Sequence, residues 1–139
     1  MAATFRILEH TADVGFEAFG RTREEAFAQA ACALMYLITD TDALAATQTT
    51  EIRVAASTPP DLLVNWLSEV LYLHETERLL LRDFRVHHLT DQSLTATAYG
   101  EQYDATRHRI RLQVKAITYH QLALEPLADG WRAQVYVDI

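Results

Sequence analysis

The chain has 139 residues, half of them hydrophobic, with a single cysteine and a formal net charge of −7. That length suits one domain spanning 1–139 that folds without disulfides, and the acidic balance argues against a wide electropositive face for gripping nucleic-acid phosphates. A lone Cys32, no basic-then-apolar leader at the start and no apolar run near the ~20 residues of a membrane span together point to a cytoplasmic protein with no membrane partner.

Residues 4–9 and 14–19 are rich in β-branched and aromatic side chains, and Val14, Phe16 and Ala18 alternate with Gly15, Glu17 and Phe19. That is the two-residue period of a strand pair. The connection His10-Thr11-Ala12-Asp13-Val14-Gly15 sets an imidazole, a hydroxyl, a carboxylate and a glycine within six residues; read alone it fits a hairpin turn closed by Thr11 and Asp13, or a site. Thr22-Arg23-Glu24-Glu25 is a capping box, and the apolar residues from Ala26 and Phe27 to Leu34 and Leu37 recur at helical steps up to about Leu37. Cys32 is expected in the core.

Residues 39–50 show no period and are expected as a loop, with Asp40 and Asp42 better suited to a solvated turn than to a metal. Residues 51–55 alternate as a short strand. Thr58 caps the next helix, Pro59 takes a position that needs no amide and Asp61 sits near the positive helix end. Leu62, Leu63, Trp66, Leu67, Val70 and Leu71 form its stripe, and its end is expected between Leu73 and Arg78. Strands are expected over 80–89 and 94–99 as antiparallel neighbours. Ile110, Leu112, Val114 and Ala116 alternate with Arg109, Arg111, Gln113 and Lys115, which predicts a half-buried strand. Residues 118–124 continue extended, 126–130 turn, and 131–139 close the chain. The sum is an α+β single domain with two α-helices packed on antiparallel-rich β-sheets of about seven to eight strands.

In the last strand Trp131, Ala133, Val135, Val137 and Ile139 share one face, leaving Arg132, Gln134, Tyr136 and Asp138 on the other. Asp138 therefore points off the core. Where Ile139 is the natural end, a main-chain carboxylate stands one residue away, and like charges so close repel unless something positive compensates. Lys115 is one candidate; a hard divalent cation is another, with a further aspartate such as Asp13 completing an anionic cup. A frayed terminus is the plainer reading. His108 with Glu101 and Asp104 composes an acid–base set or, in the reading favoured here, a loop hydrogen-bond network. Arg107, His108, Arg109 and Arg111 fit a solvated edge, and His74, His87 and His88 fit surface positions. No nucleophile arrangement and no glycine-rich phosphate loop is present.

His10-Thr11-Ala12-Asp13-Val14-Gly15, Glu25-Ala26-Phe27, Ile38-Thr39-Asp40, Gly100-Glu101 with Asp104 and His108, Val114-Lys115-Ala116-Ile117-Thr118-Tyr119-His120 and the terminal Asp138-Ile139 together resemble the archease family. The correspondence runs from the first strand to the last residue. It implies two helices against β-sheets and a non-catalytic protein cofactor of the RtcB-type RNA ligase, active in tRNA splicing or RNA repair. That ligase joins a 2′,3′-cyclic phosphate or 3′-phosphate end to a 5′-hydroxyl through a guanylylated histidine in a manganese site, and archease promotes its guanylylation and repeated turnover. RNA is then met only through the ligase. By position, the resemblance implies a metal site on Asp13, Asp138 and the main-chain carboxylate of Ile139. The implied ion is a divalent cation, Ca²⁺ first and Mg²⁺ or Mn²⁺ as alternatives. It also implies a functional role for Lys115. His10 and His120 fall in motif positions, where they orient the aspartates or serve the fold. Gln113 stands where many members carry glutamate. Two rival readings are a stand-alone metal-dependent phosphoesterase, which lacks a general base beside the carboxylates, and a general chaperone or adaptor of RNA-modifying enzymes.

Overall fold

Strand β1 (Thr4–Glu9) and strand β2 (Asp13–Gly20) pair antiparallel, with Thr4 opposite Phe19 and Glu9 opposite Val14, as their alternation predicts. The computed structural model describes residues 2–9 and 13–139, the Glu9 side chain excepted, so the roles expected of His10 and Thr11 lie outside the described residues. Helix α1 (Arg23–Ile38) starts where the capping box places it: the Thr22 hydroxyl accepts the Glu25 amide at 3.1 Å. The Glu25 carboxylate reaches back to the Arg21 amide at 3.2 Å, one residue beyond the usual partner. Strand β3 (Gln48–Ala55) leads to helix α2 (Pro59–Glu77), capped by Thr58 and closed by Arg78 in the left-handed region at φ 59°. Strands β4 (Leu79–Leu89), β5 (Ser93–Gln102), β6 (Ala116–Ile117), β7 (Ala123–Leu127) and β8 (Gly130–Asp138) complete the order.

The strands form two antiparallel sheets. One runs β1-β2-β8-β6 with β7 also on β8, and the other runs β3-β5-β4. Each helix touches strands of both sheets, so one core joins Phe16, Val135 and Val137 with Phe27 and Leu34 of α1, Leu63 and Trp66 of α2, and Leu80 and Leu94 of the second sheet. Burying side chains of this size is worth about 1.5–3 kcal/mol each. The Trp66 indole donates to the Phe27 carbonyl at 2.9 Å and meets Phe84 edge-on, so its polar atom enters the core with a partner. Among the described residues no helix is long and apolar enough to cross a membrane.

The predicted strand over 110–116 is not formed. Only Ala116–Ile117 pair as β6, although Val114 is buried as the alternation suggests. The backbone before it is used elsewhere: the Arg111 amide donates to the Ile38 carbonyl at 2.7 Å, and Ile110 bridges Thr39. The Arg111 guanidinium donates to the carbonyls of Tyr36 and Thr39 at 2.5 and 2.7 Å and stacks on the Tyr36 ring. Helix α1 has no basic residue in its own last turn, and the carbonyls left open at a helix end need donors. Residues 110–115 are therefore a strap from the end of α1 to the end of β8.

Other boundaries move for local reasons. The expected loop over 39–50 holds a 3-10 turn at Thr41–Ala43, where Asp40 accepts the Asp42 amide at 3.2 Å, and β3 begins earlier, at Gln48. The extended run over 118–124 is broken by a turn with Gln121 at φ 47°. Pro126 lies inside β7 instead of in the turn, which shrinks to residues 128–129; an edge strand tolerates a residue without an amide. Cys32 is half-buried, with burial pushing its thiol up to about 12.

Candidate metal centre and its surroundings

Asp13 is the first residue of β2 and Asp138 the last of β8, and the two are direct cross-strand partners. Partners in an antiparallel pair project to the same side with Cβ atoms about 5 Å apart. The pairing thus sets two carboxylates side by side at one tip, Asp13 half-buried and Asp138 exposed. On the other flank of Asp138 lies Ala116, and the Lys115 amide donates to the Asp138 carbonyl at 2.8 Å. The strap thereby fixes the end of β8.

Two residues inward on the same side, Gly15 faces Tyr136. A Cβ at Gly15 would fall 2.6 Å from the Tyr136 ring, so this glycine makes room for an aromatic instead of relieving a turn. The expectation for β8 changes accordingly: Tyr136 is buried on the face read as polar, whereas Ile139 is 40% exposed. His120 meets Tyr136 edge-on at 5.3 Å, a support for the wall beside the aspartates. The next pair is Glu17 with Gln134. Glu17 is buried between Arg6 and Arg132, the latter at 2.5 Å. Burial pushes its carboxyl up, but hydrogen bonds from Arg132 and Arg6 outweigh that and hold it below the ordinary value.

The donors at the tip fit a hard cation. Among the described residues they are the carboxylate oxygens of Asp13 and Asp138, the kind that Ca²⁺ and Mg²⁺ prefer. Among the described residues no cluster of three or more His, Cys, Asp or Glu side chains is placed to hold a metal, so an ion on Asp13 and Asp138 needs further oxygens from the main chain or water. Ile139 follows Asp138 in sequence and is 40% exposed.

Lys115 is exposed, and its side chain lines a cleft of about 520 Å³ together with His74, Glu75, Arg78, Tyr103 and Ile110. It is the chain's one lysine; the other eleven of its twelve Lys and Arg residues are arginine. Nothing local in the sequence marks Arg78 or Tyr103 as its neighbours.

Glu101, Asp104 and His108 form the loop network that the sequence favoured. Glu101 is buried, accepts the Ala45 amide at 2.7 Å and pairs with Arg107 at 2.8 Å, and His108 Nε2 lies 3.2 Å away. The other ring nitrogen of His108 accepts the Asp104 amide at 2.9 Å. The Arg107 hydrogen bond first, then the Ala45 amide, hold the Glu101 carboxyl at about 2. A carboxyl depressed in the folded state adds stability above its unfolded value near 4.5, and that stability is lost as pH falls from about 5 toward 2. We expect Glu101→Gln to cost about 1–2 kcal/mol at pH 7, after solvent screening on the Arg107 side, and to flatten the acid limb. Urea unfolding across pH 2–7 measures this, and parallel profiles for the two proteins would contradict it.

The family comparison follows the same lines. The Archease protein family profile matches residues 5–139. Protein archease of Methanosarcina barkeri is 43% identical over 139 residues, covering 97% of this chain and 95% of that protein. Protein archease of Pyrococcus abyssi is 41% identical over 135 residues, covering 94% and 95%. The solution structure of Methanobacterium thermoautotrophicum Protein 1598 matches with a TM-score of 0.83 at 33% identity, over 97% of this chain and 98% of that one. A Thermotoga maritima crystal structure, described as an archease and "possible chaperone", shares the fold with a TM-score of 0.62 at 20% identity, over 95% and 94%. With its two helices, two antiparallel sheets and near full-length similarity to these proteins, the chain belongs to the archease family.

Proposed function

We propose that this protein is a non-catalytic accessory factor of an RtcB-type RNA ligase, promoting the ligase's guanylylation and repeated turnover in tRNA splicing or RNA repair. In this reading Asp13, Asp138 and the main-chain carboxylate at Ile139 hold a divalent cation, Ca²⁺ first. The observation that carries it is the cross-strand pairing of Asp13 with Asp138 in a chain of the archease family. A divalent ion so held supplies an electropositive point that attracts phosphate or carboxylate oxygens. The protein's own residues do the rest. Tyr136 packed over Gly15 and the Lys115 amide on the Asp138 carbonyl keep the two strand ends in register. Glu101 and His108 take part in the loop network, a structural use that supports an accessory role over a phosphoesterase.

The test is RNA ligation with the ligase limiting. Adding this protein is expected to carry the reaction past one turnover per ligase, and an unchanged product yield would overturn the reading. The description of the Thermotoga protein as a possible chaperone supports a second reading, a general adaptor of RNA-modifying enzymes. Raised solubility of several unrelated RNA enzymes, independent of metal, would favour that one.

A further inference from the structure

Arg78 follows helix α2 with φ 59°, a position where glycine is usual because a side chain there costs about 1 kcal/mol. Its carbonyl accepts the Tyr103 amide at 2.7 Å, and its guanidinium lies 4.9 Å over the Tyr103 ring. The stacked pair stands between two concavities: the 520 Å³ cleft that contains Lys115, and a more open one of 670 Å³ bounded by Arg107 and Asp104. Arg6, Arg21, Arg23, Arg82, Arg107 and Arg132 each pair with a carboxylate. Among the described residues Arg78 and Lys115 form no salt bridge, and both face the smaller cleft. Ile110, 37% exposed, and Gln113 line the same cleft.

We propose that the cleft between Lys115 and Arg78 binds a nucleoside phosphate, either a free nucleotide or the terminal nucleotide of a strand. The Lys115 ammonium and the Arg78 guanidinium, the latter held on the Tyr103 ring, take the phosphate, Ile110 takes the flat face of the base, and Gln113 takes its edge. The volume lies within the few hundred to about 1,000 Å³ of small-ligand sites. Two cations in a chain of net charge −7 are too few to follow a long phosphate backbone but enough for one phosphate. An inorganic anion would leave the exposed Ile110 wall unused, and an acidic peptide would not need it. Glu75 lies on the same cleft and opposes an anion, which sets an upper limit on affinity. His74 adds no charge at neutral pH, because burial lowers it below its ordinary value while its Nδ1 sits 3.1 Å from the Leu79 carbonyl. The inference is independent of the metal centre and of any ligase, and it is tested on the isolated protein.

The single lysine makes the test clean, since an acetylating ester modifies only Lys115 and the α-amino group among the amines. Acetylation of Lys115 is followed by peptide mass spectrometry with millimolar GMP, AMP, inorganic phosphate, a 3′-phosphorylated trinucleotide or a polyglutamate peptide. Nucleoside phosphates are expected to slow it about fivefold or more at several times Kd. Stronger protection by the trinucleotide marks a strand end as the ligand, and equal protection marks the free nucleotide. Arg78→Gly removes the guanidinium while suiting the left-handed backbone, so it is expected to keep or raise the melting temperature and to lose the protection. Glu75→Gln is expected to strengthen binding two- to threefold. Absence of nucleotide protection overturns the proposal, as does equal protection by inorganic phosphate or protection by polyglutamate alone.

Discussion

Asp138→Asn is expected to raise the melting temperature of the metal-free protein slightly and to abolish the larger rise that Ca²⁺ gives the wild type. Asp13 and Asp138 are direct cross-strand partners, and like charges directly opposed cost about 0.2–1 kcal/mol. Removing one of them without metal is therefore worth roughly 1–4 °C in a domain of this size. With cation at 100 times Kd, a site present only in the folded state adds about 2.7 kcal/mol, or about 8–10 °C. The variant is expected to forgo that gain, so the order of the two melting curves inverts on adding Ca²⁺. The exposed position of Asp138 keeps the fold out of the comparison. Scanning calorimetry with Ca²⁺ and with a chelator measures it, and a Ca²⁺-dependent rise that survives in Asp138→Asn would remove that residue from the proposed site. A tag joined after Ile139 removes the main-chain carboxylate and is expected to weaken the Ca²⁺ response without inverting the curves.

The largest loss of stability is expected for Gly100→Ala. Gly100 lies in β5, the middle strand of its sheet, opposite the place where the register of β4 shifts between Leu81 and Asp83. An added Cβ would stand 2.0 Å from the Leu80 carbonyl oxygen and 2.8 Å from the Leu81 Cα. Both are backbone atoms that cannot rotate aside, so the two strands must separate, at a cost of about 3 kcal/mol or more. Gly15→Ala is the control. Its clash is with the side chain of Tyr136, which can turn away, so the cost is expected to be about 1–2 kcal/mol. Urea unfolding of both variants gives the comparison, and a Gly100→Ala protein as stable as Gly15→Ala would show that β5 does not carry this close approach.

Local chemistry in the sequence determined most of the elements. Thr22 and Thr58 start their helices, the alternation over residues 14–19 and 131–138 marks two strands, and motifs along the whole chain carry the family. These are signals read within one or two turns of backbone, where capping and periodicity operate. Asp13 and Asp138 were legible as candidate residues, but not that they face each other, because antiparallel register between residues 125 positions apart depends on how β2 and β8 bury their shared face. The alternation over 110–116 predicts a strand, and the burial of Val114 agrees with it. Only the tertiary structure decided that this backbone would serve the open end of α1 instead, since a helix far away in sequence lacked donors of its own. The same long-range choice carries Lys115 to the cleft beside Arg78 and Tyr103. Tertiary packing likewise buried Tyr136 over Gly15 on the face expected to be polar, because the missing side chain on one strand left room for an aromatic ring from the next.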